Sequence, residues 1–203
     1  MVSGTGRVAV QPDVADLRLG VSVSSLTVDE ARNHAAARMT SILAAVEAAG
    51  VPKQDIRTTL LSVQPRYDYR DGKPPELSGY ELANVVEVTV RDLARVGDVI
   101  DGSLQAGATS MDSLTFRLAD PSSAEREARV LAMKEARARA DVLAEAGGLS
   151  ITGVSSVVED GAMLPPRPFA KAERMMMAAD SSTPVESGSL EVAVRVTVAY
   201  RTT

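Results

Sequence analysis

The stretch Leu190-Glu191-Val192-Ala193-Val194-Arg195-Val196-Thr197-Val198-Ala199-Tyr200 alternates without a break. Leu190, Val192, Val194, Val196, Val198 and Tyr200 share one parity, while Glu191, Arg195 and Thr197 take the other. Successive side chains of a strand point to opposite faces, so this is the period of a half-buried strand. Its unbroken apolar side predicts a strand in the middle of a sheet, with another layer packed on it.

The same period appears from Val14 to Val23, with Ala15, Leu17, Leu19, Val21 and Val23 on one side and Asp16, Arg18, Ser22 and Ser24 on the other. Arg7 to Gln11, separated from it by Pro12-Asp13, reads as its hairpin partner. Thr27-Val28-Asp29-Glu30 is a capping box and opens a helix with inner residues Ala31, Ala35, Met39, Ile42, Val46 and Ala49, closing at Gly50 before Pro52. From Ile56 the chain turns extended. Its apolar phase slips between Leu60 and Leu61, which predicts a bulge there. Asp71 to Pro75 makes a loop, and Tyr80, Leu82, Val86, Val88 and Val90 return as a strand.

Asp92 caps a second helix bearing Leu93, Val96, Ile100 and Leu104. A strand with Leu114, Phe116 and Leu118 follows, and Ser122 to Glu125 offers a capping box for a long helix running to Ala146. A strand from Ile151 to Val158 precedes residues 160–187, where four prolines and three consecutive methionines show no period and read as a flexible loop. The order is ββαββαβαββ. This is an α+β fold of antiparallel sheets packed with about three helices, either one domain over residues 1–203 or two intimately packed lobes sharing the chain.

Composition narrows the function. At 203 residues and 45% hydrophobic content the chain is long enough for a real core, but only 3% of it is aromatic and it has no Trp, leaving few platforms for stacking bases or sugars. A net charge of −5 argues against nucleic acid and anionic membrane surfaces. The basic residues Arg126, Arg129, Lys134, Arg137 and Arg139 are interleaved with Glu125, Glu127, Glu135, Asp141 and Glu145 and read as a solvated helix face. The absence of cysteine removes disulfides, thiolate nucleophiles and Cys-ligated metals. No apolar run reaches the length of a membrane-spanning helix. The start Met1 to Arg7 lacks the pattern of a signal peptide, so the expectation is a cytosolic protein or a mature form whose leader has been removed.

No catalytic, cofactor or metal site emerges. His34, the single histidine, lies off the apolar stripe of its helix and reads as a surface residue. Asp68 with Asp71 and Gly72 lacks the spaced acids of a calcium loop and reads as a turn. Ser3-Gly4-Thr5-Gly6 precedes a strand instead of joining a strand to a helix, so it lacks the geometry of a phosphate cradle. Met163 and Met175 to Met177 read as loop hydrophobes that dock on a partner, with Cu(I) ligation the sharper and weaker alternative. Glu135 and Arg139 are less ordinary. On a helical wheel they fall inside the arc made by Ala124, Ala128, Leu131, Ala132, Ala138, Val142 and Ala146, which places an ion pair where the helix edge meets a polar neighbour, within the chain or across a subunit boundary.

Several ordered blocks resemble the SIMPL-domain family, which includes periplasmic immunogenic proteins. They are Val2 to Gly6 with Pro12 to Ala15, Ala49 to Thr58, Pro65 to Tyr69, Gly79-Tyr80, Ala136 to Ala144 and Thr183 to Gly188. The resemblance covers nearly the whole chain. It implies an α+β fold, frequent export to the envelope, self-association in some members, a suggested part in stress tolerance, and no established catalytic residues. Two departures are the missing leader and Arg139, where the family pattern often has Lys. The expectation is a non-enzymatic, envelope-associated structural or interaction protein acting as a homo-oligomer. The alternative is a binding module whose 160–187 loop captures a peptide, lipid or soft metal.

Overall fold

The computed structural model describes residues 1–69, 74–160, 167–169 and 183–203. Asp71, Gly72, Met163, Met175 to Met177 and most of the 160–187 loop lie outside the described residues. The elements are β1 (Val2–Val10), β2 (Val14–Ser25), α1 (Val28–Ala48), β3 (Ile56–Asp68), β4 (Glu76–Val90), α2 (Val96–Gln105), β5 (Ser110–Arg117), α3 (Ser122–Ala146), β6 (Ile151–Glu159), a short β7 (Arg167–Phe169) and β8 (Ser189–Thr202). The fold is α+β with two antiparallel sheets. Contacts group the described residues into two compact units: those within 1–12, 118–169 and 187–203 form the α3 unit, while those within 13–117 and 183–186 form the α1 unit.

The α1 unit holds a sheet in the order β3-β4-β2-β5. The odd residues of β2 pair with even residues of β4, Leu17 with Val88 and Leu19 with Val86, so both apolar sets share one face. That face packs with Ala31, Ala35, Met39, Ile42 and Val46 of α1, the stripe expected from the spacing. Thr27 Oγ1 accepts from the Glu30 amide at 3.3 Å, and the helix closes at Gly50, whose φ of +93° suits only glycine well. Asp92 Oδ1 accepts from the Ala94 amide, but what it caps is a 3-10 turn leading into α2. Leu104, expected on the inner side of α2, is exposed, and Val99 and Ser103 are buried instead.

Two readings of strand order and phase need correction. β1 is not the hairpin partner of β2; it pairs antiparallel with β8, Val2 against Val198 and Gly6 against Val194, and belongs to the other sheet. Pro12-Asp13 lacks the left-handed residues that close a two-residue hairpin, and alternation alone does not name a partner. In β3 the register shifts between Thr58 and Leu60, one residue earlier than the phase slip suggested, and shifts again between Arg66 and Tyr67. β3 is an edge strand, so Leu60, Leu61, Val63 and Tyr67 are exposed.

The sheet of the α3 unit runs β1-β8-β6, with β7 also on β8, which makes β8 its central strand. Leu190, Val192, Val194, Val196 and Val198 are buried, as the alternation requires. α3 covers this face with Ala124, Ala128, Ala132, Ala136, Ala140 and Ala144. Ala124, Ala128 and Ala132 belong to the expected arc, but its other members, Leu131, Ala138, Val142 and Ala146, are exposed, and Ala136, Ala140 and Ala144 take their place. Closeness explains the choice. Gly4 and Gly6 of β1 lie directly beneath the helix, where an added β-carbon would collide with the carbonyl oxygens of Ala132 and Ala128, so only small side chains fit between the two backbones. A four-residue repeat drifts by about 40° per step, so the stripe winds around the helix. Its middle members are accordingly sealed, while Ala124 and Ala144 at the ends keep 8% exposure. The α3 start differs as well. Ser122 is already helical, and Asp120 Oδ1 accepts from the Ser122 amide at 2.9 Å.

Candidate functional site

The most specific polar arrangement in the α3 unit ties α3 to the rim of its sheet. β1 has β8 on one side, leaving its other edge open to pairing. On that edge the Ser3 carbonyl accepts from Arg139 Nη1 at 2.9 Å, and the Thr5 amide donates to Glu135 Oε2. Arg139 Nη2 and Glu135 Oε1 meet at 2.6 Å. A neighbouring strand would present an N–H to the carbonyl of one residue and a C=O to the amide two residues on. Here a guanidinium and a carboxylate supply both from one turn of helix. The polar neighbour anticipated for this pair is therefore β1 of the same chain. The wheel found the two residues but not their partner, because the edge they occupy exists only once β1 has paired with β8.

Ser3-Gly4-Thr5-Gly6 is thus strand, not a phosphate loop, and its glycines serve the close approach of α3. His34 is exposed on α1. Asp68 ends β3.

Around this clip, α3 leaves apolar surface uncovered. Val130 and Val142 keep 50% and 66% exposure, and Leu131 and Leu143 are also exposed. A shallow open depression on the β1 side is lined by Val2, Glu135, Ala138, Val142 and Leu143. Another, on the β6 side, is lined by Val130, Met133, Lys134, Arg137 and Ala138, with the Arg137 guanidinium 5.8 Å from the Tyr200 ring centre. Arg129 closes the latter onto β6 through Glu159 at 2.9 Å.

Among the described residues, the carboxylates whose pKa is shifted are all shifted downward. In the α1 unit, burial is the largest single influence on Asp16 and pushes it up, but hydrogen bonds from Arg117 and Thr89 together outweigh it. Asp55 is lowered by a two-pronged bond from Arg91, with both contacts at 2.8 Å. Asp101 is lowered by the Thr183 hydroxyl and amide. In the α3 unit, Arg129 lowers Glu159, and the Ser122 amide lowers Asp120. Each is held as an anion, the state of a structural acceptor. A general acid needs the opposite shift. Among the described residues no group of three or more His, Cys, Asp or Glu is gathered to hold a metal ion. No described helix is long and apolar enough to cross a membrane.

With two sheets, an alanine-faced helix and a clipped edge in place, the comparison with known proteins is decisive for kinship. The family model SIMPL, a protein of unknown function (DUF541), matches residues 1–200. The chain belongs to this family. It is 34% identical over 206 residues to the 26 kDa periplasmic immunogenic protein of Brucella melitensis, an alignment covering 98% of this chain and 82% of that one. It is 32% identical over 182 residues to the uncharacterized protein YggE of Escherichia coli, covering 90% and 72%. In this SIMPL chain, several residues of the family's blocks have structural roles. Gly4 and Gly6 admit α3, and Ala136, Ala140 and Ala144 cover the sheet.

Proposed function

We propose that this SIMPL-family chain works in the cell envelope as a non-enzymatic interaction protein and acts as a homo-oligomer. The observation that carries this reading is the uncovered apolar surface of the α3 unit, where Val130, Leu131, Val142 and Leu143 stand exposed beside open depressions. Exposed apolar side chains beside open depressions mark a surface that meets another protein. The non-enzymatic part of the reading is supported by the pairing of the shifted acids, each held ionised as a structural acceptor by a neighbouring donor. Placement in the envelope rests on kinship with a relative named periplasmic. A part in stress tolerance rests on the family resemblance alone.

Light scattering of the purified chain at tens of micromolar tests the reading. A particle mass of two or more chains is expected. A particle of one chain, with the exposed apolar residues left in water, removes it.

A further inference from the structure

The outward side of α3 has a pattern that its buried alanines do not account for. With Ala132 and Ala136 turned to the sheet, the positions half a turn away are Val130, Lys134, Ala138 and Asp141, flanked by Leu131 and Val142. Leu131, Lys134, Ala138, Asp141 and Glu145 follow one another at alternating steps of three and four, the spacing of a helix that lies along another helix. No described element covers this side, since all these residues are exposed.

We infer that this face receives the α3 helix of a second copy, antiparallel and crossing at Ala138. The inference rests on the reading that the chain is a homo-oligomer, and it names the surface. Charge order selects both the occupant and its direction. Lys134 stands one turn before Ala138, and Asp141 and Glu145 stand one and two turns after it. About a twofold axis through Ala138, Lys134 of each copy comes beside Asp141 and Glu145 of the other, whereas a parallel pair would set like charge on like. Arg137 already holds Asp141 within the helix at 2.9 Å. Lys134 and Glu145 make no hydrogen bond or ion pair among the described residues, so both are available to a partner.

Size agrees with the axis. Ala138, the residue at the crossing, is the smallest on the face, and small residues at a contact let helix axes come within about 8–10 Å. Val130, Leu131 and Val142 then flank the crossing and lose water together.

The chain has no cysteine, so a single introduced thiol reports its own neighbours. Ala138→Cys puts the thiol on the proposed axis, within disulfide reach of its copy, and Ala36→Cys, on the exposed side of α1, is the control. Under mild oxidation Ala138→Cys is expected to give a covalent pair and Ala36→Cys none. Lys134→Glu should weaken self-association by about tenfold, and Lys134→Glu with Glu145→Lys should recover it. If the wild type scatters as a multimer while Ala138→Cys cross-links no better than the control, or while the charge reversal changes nothing, this face is the wrong one and the oligomer reading stands. A monomeric wild type removes both.

Discussion

Replacing Val194 by Asp tests the layer that β8 and α3 share. Val194 has 5% exposure and packs in a cluster with Ala128, Ala132, Ala136, Val196 and Val198. Its cross-strand partner is Gly6, which has no side chain to offer a new carboxylate. The lost burial of a valine is worth roughly 1.5–3 kcal/mol. Holding a carboxyl there raises its pKa by about 3 units, and at 1.36 kcal/mol per unit this adds roughly 4 kcal/mol at neutral pH. The total approaches the whole reserve of a typical domain, about 5–15 kcal/mol. Val194→Ala removes only two methyl groups, roughly 2 kcal/mol, which in a chain of this length lowers the melting temperature by about 4–8 °C. Thermal unfolding followed by circular dichroism at pH 7 should therefore show Val194→Ala as a shifted transition and Val194→Asp as largely unfolded. The raised acid has a further signature. Its penalty is absent below the unfolded pKa near 4 and grows as pH rises, so the deficit of Val194→Asp against the wild type should shrink at about pH 3.5. A Val194→Asp protein that melts within a few degrees of the wild type at pH 7 refutes the sealed layer between α3 and β8.

The edge clip is read by hydrogen exchange: Glu135→Ala removes the acceptor of the Thr5 amide, whose exchange should quicken by about tenfold or more while β8 amides keep their rates, and unchanged Thr5 exchange would deny the clip. Gly6→Ala sets a methyl against the Ala128 carbonyl and should lower the melting temperature by more than Val194→Ala does, whereas Gly102→Ala, with Ala45 as its nearest neighbour at 3.9 Å, should raise it by about 2–4 °C through helix propensity. Asp16 is lowered in the folded state, so its contribution is fully present above the unfolded pKa near 4 and is lost as pH falls through the folded value. The melting gap between wild type and Asp16→Asn should accordingly be constant from pH 7 to 5 and close below pH 4; a gap still open at pH 2.5 would assign it to packing.

What the sequence exposed and what it hid have a common cause. The alternation of β8 and the inner stripe of α1 are legible because a large apolar residue buried on one face leaves a period behind it. The partner of β1 leaves none, since any strand of the right parity fits the pattern. The covering side of α3 departs from its helical wheel because a wheel weighs hydrophobicity while the site weighs distance: Gly4 and Gly6 admit a helix so close that Leu131 and Val142 cannot face the sheet. A glycine pair two apart in a strand, together with alanine at every fourth helical position, was the available signal. The clip was half legible. Glu135 and Arg139 stood out as charge at four-residue spacing, but what they bind is main chain, and main chain carries no residue-type signature.

Strand edges then bear on how copies of this chain can meet. An edge invites another strand only where several consecutive groups lie free and in register. β1 is stopped at Ser3 and Thr5 by Arg139 and Glu135. β3 is broken twice, at Thr59 and again between Arg66 and Tyr67, and Pro65 lacks a donor between the two breaks. β5 carries a register shift against Arg18 and Leu19 that leaves Asp112 unpaired in the ladder, and β6 carries two, the first beside Gly153. Each of these four edges is thus interrupted within a few residues, by an ion pair on β1 and by bulges on the other three. Growth of either sheet by strand addition is hindered at its sides, while Val130, Leu131, Val142 and Leu143 stand uncovered on a helix. Helix-to-helix contact satisfies no backbone group and needs none free. That is why α3, and not a sheet edge, is the surface through which assembly of this chain is expected to run.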